Sequence, residues 1–216
     1  VSETFLLLSQ ELTARNIKNY EIVIVNDGCP TFYEHLYTNP LYSNNLRVIE
    51  NKKYFGKGAA VKYGLNFLSK DIICVIDSDQ SVSITDTLNT CLSYKSGHLL
   101  YGVRVFDSEK NDKFRRMLGL ILIFLANFLS LKHFVQDTQC PLKVFDNQIK
   151  EILKKHITIN GGMYDVQIFR ITEILGIPKI PKRVYFSEPG ISILKLSKII
   201  LKDFFDLIRI RIYTRI

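Results

Sequence analysis

The chain has 216 residues, with 29 Lys and Arg against 21 Asp and Glu for a formal charge of +8, 47% hydrophobic residues and 23% charged residues. That length fits one domain, and so large an apolar share excludes a disordered chain because it suffices for a sizeable core. No stretch reaches the roughly 20 uninterrupted apolar residues that a membrane-spanning helix needs; the longest, 117–131, is broken by Asn127 and Ser130.

In chain order, residues 3–15 place Phe5, Leu8 and Leu12 at helical intervals, which predicts a helix. The β-branched run at 20–25 predicts a strand that stops at Asn26-Asp27-Gly28, and a polar stretch of helical pattern follows. Residues 46–50 read as a second strand, Gly56-Lys-Gly-Ala-Ala60 opens a helix to about residue 68, and 71–76 is an apolar strand that ends abruptly in Asp77-Ser-Asp79. The pattern then predicts a helix at 85–94, a strand at 99–105, an apolar helix at 113–131, a short strand at Val144 and Phe145, and helices at 147–155 and 164–175. A strand at 183–186 and a long basic and apolar helix from 191 to about 210 complete the chain. Strands alternating with helices, with polar residues gathered after the strands' carboxyl ends, predict an α/β domain with a mainly parallel sheet and its ligand site along that edge.

Charge is concentrated at the end of the chain. Residues 179–216 hold nine basic and three acidic residues, a net of +6, so the first 178 carry only +2. These basic residues alternate with Ile and Phe, the pattern of a segment lying on an anionic membrane surface, and nucleic acid is the weaker partner. On a helical wheel Lys195, Lys198, Lys202 and Arg209 share an arc of about 60°, and apolar residues fill the remaining circumference. The apolar helix around Ile121, Phe124, Leu125 and Phe128 fits a core element or a lipid contact; the preceding Arg115-Arg116 favours the membrane. Cys29, Cys74, Cys91 and Cys140 have neither zinc-site pairing nor disulfide density and read as reduced thiols. His35, His98, His133 and His156 lie far apart and read as surface or satisfied positions.

The chemistry-bearing motifs follow strands or open helices. Asp77 and Asp79, spaced i, i+2 beyond a strand, can bind a hard divalent cation that bridges a diphosphate, although Asp-Ser-Asp also occurs in solvated turns. Asp27 can accept hydrogen bonds from a nucleobase at the same edge, or serve as an ordinary turn residue before Gly28. Gly56-Lys57-Gly58 puts small residues and a cation at a helix start, where backbone N–H groups favour phosphate; its spacing is neither a P-loop nor a dinucleotide fingerprint.

Taken in this order, Glu21-Ile-Val-Ile-Val-Asn-Asp-Gly28, Asn51 with 56–64, Asp77-Ser-Asp79, Tyr101-Gly-Val-Arg104, Asp137-Thr-Gln-Cys-Pro-Leu-Lys143 and Tyr164-Asp165 resemble the catalytic domain of glycosyltransferase family 2. The likeness is greatest to its dolichyl-phosphate β-glucosyltransferase branch. The resemblance implies one GT-A domain over 1–216 that lacks the family's first strand, since the chain begins at Val1 after the place of that strand, with 191–216 as a membrane-surface helix. It implies transfer of a hexose, glucose from UDP-glucose, to a dolichyl or other polyprenyl phosphate with inversion, assisted by Mg²⁺ or Mn²⁺, at the cytoplasmic face of a membrane. Asp27 would sit at the nucleotide base, Lys57 near the donor, and Asp77 and Asp79 at the diphosphate and metal. Arg104, with Arg115 or Arg116, would hold the acceptor phosphate, and Asp137 and Gln139 would line the sugar side. The sequence departs from the family at Asn26, where a second Asp is usual, at Pro141, in place of Gly, and at Gly190-Ile191-Ser192, in place of Gly-Ser-Lys. Two alternatives stay open: a non-catalytic GT-A remnant that binds nucleotide or membrane, and a mannosyltransferase using GDP-mannose.

Overall fold

The computed structural model describes residues 2–29, 45–51, 54–106, 113–187, 193–214 and 216. The side chains of 106, 113–116 and 193–201 lie outside the described residues, and so do the polar stretch at 30–44 and the departure at 190–192. The elements are α1 (Ser2–Ala14), β1 (Ile22–Asp27), β2 (Leu46–Asn51), α2 (Lys57–Gly64) with a 3₁₀ turn at Leu65–Phe67, β3 (Ile72–Val75), α3 (Ile84–Leu92) and β4 (Leu99–Phe106). They continue with α4 (Lys113–Ser130), β5 (Lys143–Asp146), α5 (Asn147–His156), α6 (Tyr164–Ile174), β6 (Lys179–Phe186) and α7 (Ile193–Tyr213).

The expected α/β class holds, but the larger sheet is mixed. Its order is β3-β5-β4-β6, with β4 parallel to β6 and β5 antiparallel to both of its neighbours. β5 is too short for a readable period, and all four of its residues are buried, so no apolar alternation marks its direction. Asp146 ends it and caps α5, accepting a hydrogen bond from the Ile149 N–H at 3.0 Å. Pro181 is tolerated in β6 because that strand lies at the sheet edge. One core lies between this sheet and α4 to α7, built on Leu99, Phe145, Leu153, Tyr164, Phe169 and Ile210, and a smaller one on the other face gathers Leu100, Leu142, Val144 and Val184.

β1 and β2 form a separate parallel pair. Near the start of both β1 and β3, Glu21 accepts from the Ser69 and Lys70 N–H groups; near their ends, Asp27 accepts from Gly56 N–H while the adjacent Lys57 pairs with Asp77. β1 and β3 therefore run in the same direction, bridged at both ends. Between them lies a cavity of about 690 Å³ lined by Ile22 and Ile24 of β1, Ile73 and Val75 of β3, and Phe5 and Leu8 of α1. Among the described residues no strand pairs with either facing edge, which leaves two rows of backbone donors and acceptors along an apolar space.

α7 packs on the domain along one side. Its inner side is core: Leu207 and Ile210 are buried against the helical layer, and the Ser130 hydroxyl donates to the Leu207 carbonyl at 2.9 Å. Its outer side exposes Phe205, Ile212 and Tyr213 with Lys202, Arg209 and Arg211. α4, which packs on α7, exposes Met117, Leu120, Phe124 and Phe128, the last two stacked with ring centroids 6.1 Å apart. No helix among the described residues is long and apolar enough to cross a membrane.

Candidate active site

The carboxyl edge of the sheets gathers the predicted residues into two groups. The first is built on the turn into α2. Gly56 has φ 105°, and a Cβ there would lie 2.5 Å from the Asn160 carbonyl oxygen; one on Gly58 would lie 2.2 Å from that of Ile159. Only glycine fits at both positions, and the Gly58 N–H donates to Asn160 O at 2.8 Å. Asp27 secures the same turn, accepting from Gly56 N–H at 2.8 Å, Phe55 N–H at 3.2 Å and the Asn51 amide at 3.2 Å. Asn26, where a second Asp was the family's usual residue, both donates to the Cys29 carbonyl at 3.0 Å and accepts from the Cys29 N–H at 2.9 Å. An ionised Asp could supply only the second of these bonds.

With its backbone held this way, Lys57 extends to Asp77. Its ammonium lies 2.8 Å from each Asp77 carboxylate oxygen and 3.9 Å from Asp165. Burial opposes the Lys57 charge, yet Asp165 and Asp77 together hold it above the ordinary lysine value. Asp79 is exposed; one oxygen closes a local turn by accepting from the Ser81 N–H at 2.9 Å.

The second group is Arg104 with Asp137. Arg104 donates through Nε at 2.7 Å, through a terminal nitrogen at 3.0 Å and through its backbone N–H at 3.1 Å. The N–H groups of Gln139 and Cys140 also donate to Asp137, at 3.0 and 3.1 Å, so this carboxylate receives five hydrogen bonds. Asp137 thus braces Arg104 and its own loop. Half-buried Gln139 follows it on that loop. The Arg104 guanidinium also lies over the Phe186 ring, 5.1 Å from the centroid. Arg115 and Arg116 belong to α4, and their side chains lie outside the described residues.

Lys143 and Asp165 join the two groups. Lys143 is fully buried and donates to the Cys140 carbonyl and the Asp165 carboxylate, and Asp165 in turn approaches Lys57. A continuous polar chain therefore runs from Asp77 through Lys57, Asp165, Lys143 and the Asp137–Cys140 loop to Arg104. Burial raises the Asp165 pKa despite the opposing pull of Lys143 and Lys57. The Tyr164 hydroxyl, buried beside it, is pushed well above its usual value by burial and the Asp165 charge. The sequence motifs contained Lys143 and Asp165 but assigned them no task; the available signal was a charge set inside an apolar run, Leu142-Lys-Val144 and Tyr164-Asp-Val166.

The donor set at Asp77 and Asp79 fits a hard cation. Magnesium-type ions are commonly held by one or two carboxylates, with water and substrate phosphate completing the shell. Among the described residues no third His, Cys, Asp or Glu joins the pair, so a diphosphate would have to supply oxygens. In this structure the Lys57 ammonium already meets Asp77.

The sequence profile of glycosyl transferase family 2 matches residues 3–157. The chain is 25% identical over 226 aligned positions to a dolichyl-phosphate beta-glucosyltransferase of Trichomonas vaginalis, covering 100% of this chain and 66% of that protein. It is 26% identical to the Dictyostelium discoideum dolichyl-phosphate beta-glucosyltransferase, covering 93% of this chain and 65% of the relative, so it spans about two thirds of these relatives' length. Among solved structures it resembles glucosyl-3-phosphoglycerate synthase from Mycobacterium tuberculosis in complex with Mn²⁺, UDP-glucose and phosphoglyceric acid, with a TM-score of 0.61 at 13% identity, over 94% of this chain and 75% of that one. The structural likeness agrees with the GT-A fold expected from the sequence. The profile match extends over more than half of the chain, and the chain belongs to glycosyl transferase family 2.

Proposed function

We propose that the chain transfers glucose from UDP-glucose to the phosphate of a dolichol or other polyprenol, with inversion and with help from Mg²⁺ or Mn²⁺. The observation that carries this reading is the polar chain from Asp77 to Arg104, which gives one continuous edge a carboxylate end suited to a cation and diphosphate and a guanidinium end suited to a phosphate. The relatives named for this activity and the neighbour bound to Mn²⁺ and UDP-glucose support it. Asp27 and the turn it holds frame the nucleotide end. Asp77 and Asp79 hold the cation, which when bound neutralises charge on the leaving diphosphate. Lys57 adds a second positive charge there, and Arg104, kept in one orientation by Asp137, receives the acceptor phosphate with Arg115 or Arg116. An acceptor phosphate oxygen attacks the sugar C1 as the bond from C1 to the diphosphate oxygen breaks and UDP departs with that electron pair. The attacking phosphate is already an anion, so no side chain has to remove a proton, and catalysis consists of alignment and charge neutralisation.

The exposed aromatic face of α4 and the basic outer side of α7 form the surface we assign to the anionic cytoplasmic leaflet, where the acceptor resides. The space between β1 and β3 is the place we assign to the family's first strand, because a strand would pair both open edges at once. The test incubates the full-length protein with labelled UDP-glucose, Mn²⁺ and vesicles carrying dolichyl phosphate, then extracts the lipid. Label in the glucosylated lipid supports the proposal. Label from GDP-mannose instead would make mannose the sugar, and no lipid label from either donor would leave the non-catalytic reading. Vesicle sedimentation of Phe124→Glu checks the surface: reduced binding is expected, and unchanged binding would remove α4 from it.

A further inference from the structure

Lys57 is held between two unlike carboxylates. Asp77 has a side chain 31% exposed and is within 2.8 Å; Asp165 is 3% exposed, 3.9 Å away, and already paired through its other oxygen with the buried Lys143. Asp27 holds the Gly56 N–H and the Asn160 carbonyl accepts from the Gly58 N–H, so the backbone is anchored on both sides of Lys57. The nearby Tyr164 ring, 5.7 Å from the ammonium, offers a cation-compatible surface along the short path between the two acids.

We propose that Lys57 is an exchangeable placeholder on Asp77: an arriving divalent cation displaces its ammonium, and Asp165, anchored by Lys143, receives it. Asp165 is then a positioning residue that keeps Lys57 beside the ion and the diphosphate without ligating either. Two cations compete for the Asp77 oxygens, and the exchange keeps that carboxylate neutralised both before and after the ion binds. The inference rests on the metal-assisted reading above, and its test needs neither a sugar donor nor turnover.

Mn²⁺ binding to the full-length protein without nucleotide is followed by electron paramagnetic resonance, with Asp79→Ala as the control that locates the ion. Lys57→Met is expected to tighten Mn²⁺ by about three- to tenfold, the scale of one lost ion pair at a half-buried site. Asp165→Asn is expected to weaken Mn²⁺ when Lys57 is present, because the ammonium then stays on Asp77, and to have little effect in the Lys57→Met background. Equal Mn²⁺ affinity in wild type and Lys57→Met would overturn the exchange while leaving the transfer reading intact. An equal loss from Asp165→Asn in both backgrounds would reduce Asp165 to a distant charge and overturn its receiving role. Absence of Mn²⁺ binding in every variant would overturn the exchange on the nucleotide-free protein, while leaving intact a metal assistance in which the bound diphosphate completes the shell. Lys57→Met leaves Asp165 paired with Lys143, so the first comparison stands even where Asp165→Asn fails to fold.

Discussion

Arg104–Asp137 and Lys57–Asp77 are both ion pairs at the same sheet edge, joined through one buried lysine and aspartate, yet they are built for different tasks. Asp137, with a side chain 5% exposed, receives five hydrogen bonds, two of them from the planar guanidinium fork. Asp77 meets one flexible ammonium, and both partners are about one third exposed. A saturated, buried carboxylate is a brace; a solvent-accessible one whose partner among the described residues is a lysine ammonium can take a ligand.

The largest effect follows from removing the brace. Asp137→Ala removes the buried acceptor of five hydrogen bonds, three from Arg104 and two from loop N–H groups, and is expected to cost about 3 kcal/mol of stability. Lys57→Met, at the exchangeable pair, is expected to change stability by less than about 1 kcal/mol. Denaturant unfolding of both variants breaks the comparison if the two losses are equal.

Gly58→Ala tests the rigid base under Lys57. The new Cβ would lie 2.2 Å from the Ile159 carbonyl oxygen and 2.7 Å from the Tyr164 Cβ, so a loss of about 1–3 kcal/mol is expected. Gly119 in α4 is the matched control, because a Cβ there meets nothing within 4 Å among the described residues, and alanine at that helical position is expected to stabilise by up to about 1 kcal/mol. Similar thermal shifts for the two substitutions would show that the turn is not held as described.

Much of this architecture is legible in the residues because apolar runs give way to polar residues at or just past the strand ends: β1 ends in Asn26-Asp27, and Asp77 lies two residues beyond the end of β3 at Val75. The pairing of Arg104 with Asp137 is not legible, since 33 residues separate them and only folding decides that their charges satisfy each other. The same holds for Lys143, whose place in an apolar run signals burial but not its partner. The antiparallel β5 escapes for a different reason: a strand buried on both faces carries no alternation from which to read direction. In α7 the wheel puts Lys202 and Arg209 on one side, and both are exposed, but which apolar residues face α4 and α6 is a matter of packing, and Leu207 and Ile210 turn inward.

A smaller effect sharpens the comparison with a third carboxylate. Asp203 on α7 is buried, and burial together with nearby Asp206 raises its pKa to about 6. Between its unfolded and folded pKa values the folded state binds more protons, so Asp203 makes stability fall as pH rises from about 4 through about 6. Asp203→Asn is expected to raise the melting temperature at pH 7 by about 2–4 °C and to change it little at pH 4. An equal gain at both pH values would mean that the charge is not the cause.

The most direct test of the central claim, that Asp77 and Asp79 hold the cation and diphosphate of the donor, is a calorimetric titration of UDP-glucose into the full-length protein and its Asp79→Ala variant in the presence of Mn²⁺. Affinity at least about tenfold weaker is expected in the variant, because the remaining carboxylate alone bridges cation and diphosphate poorly. Unchanged affinity would contradict that claim and leave Asp77-Ser-Asp79 as a solvated turn.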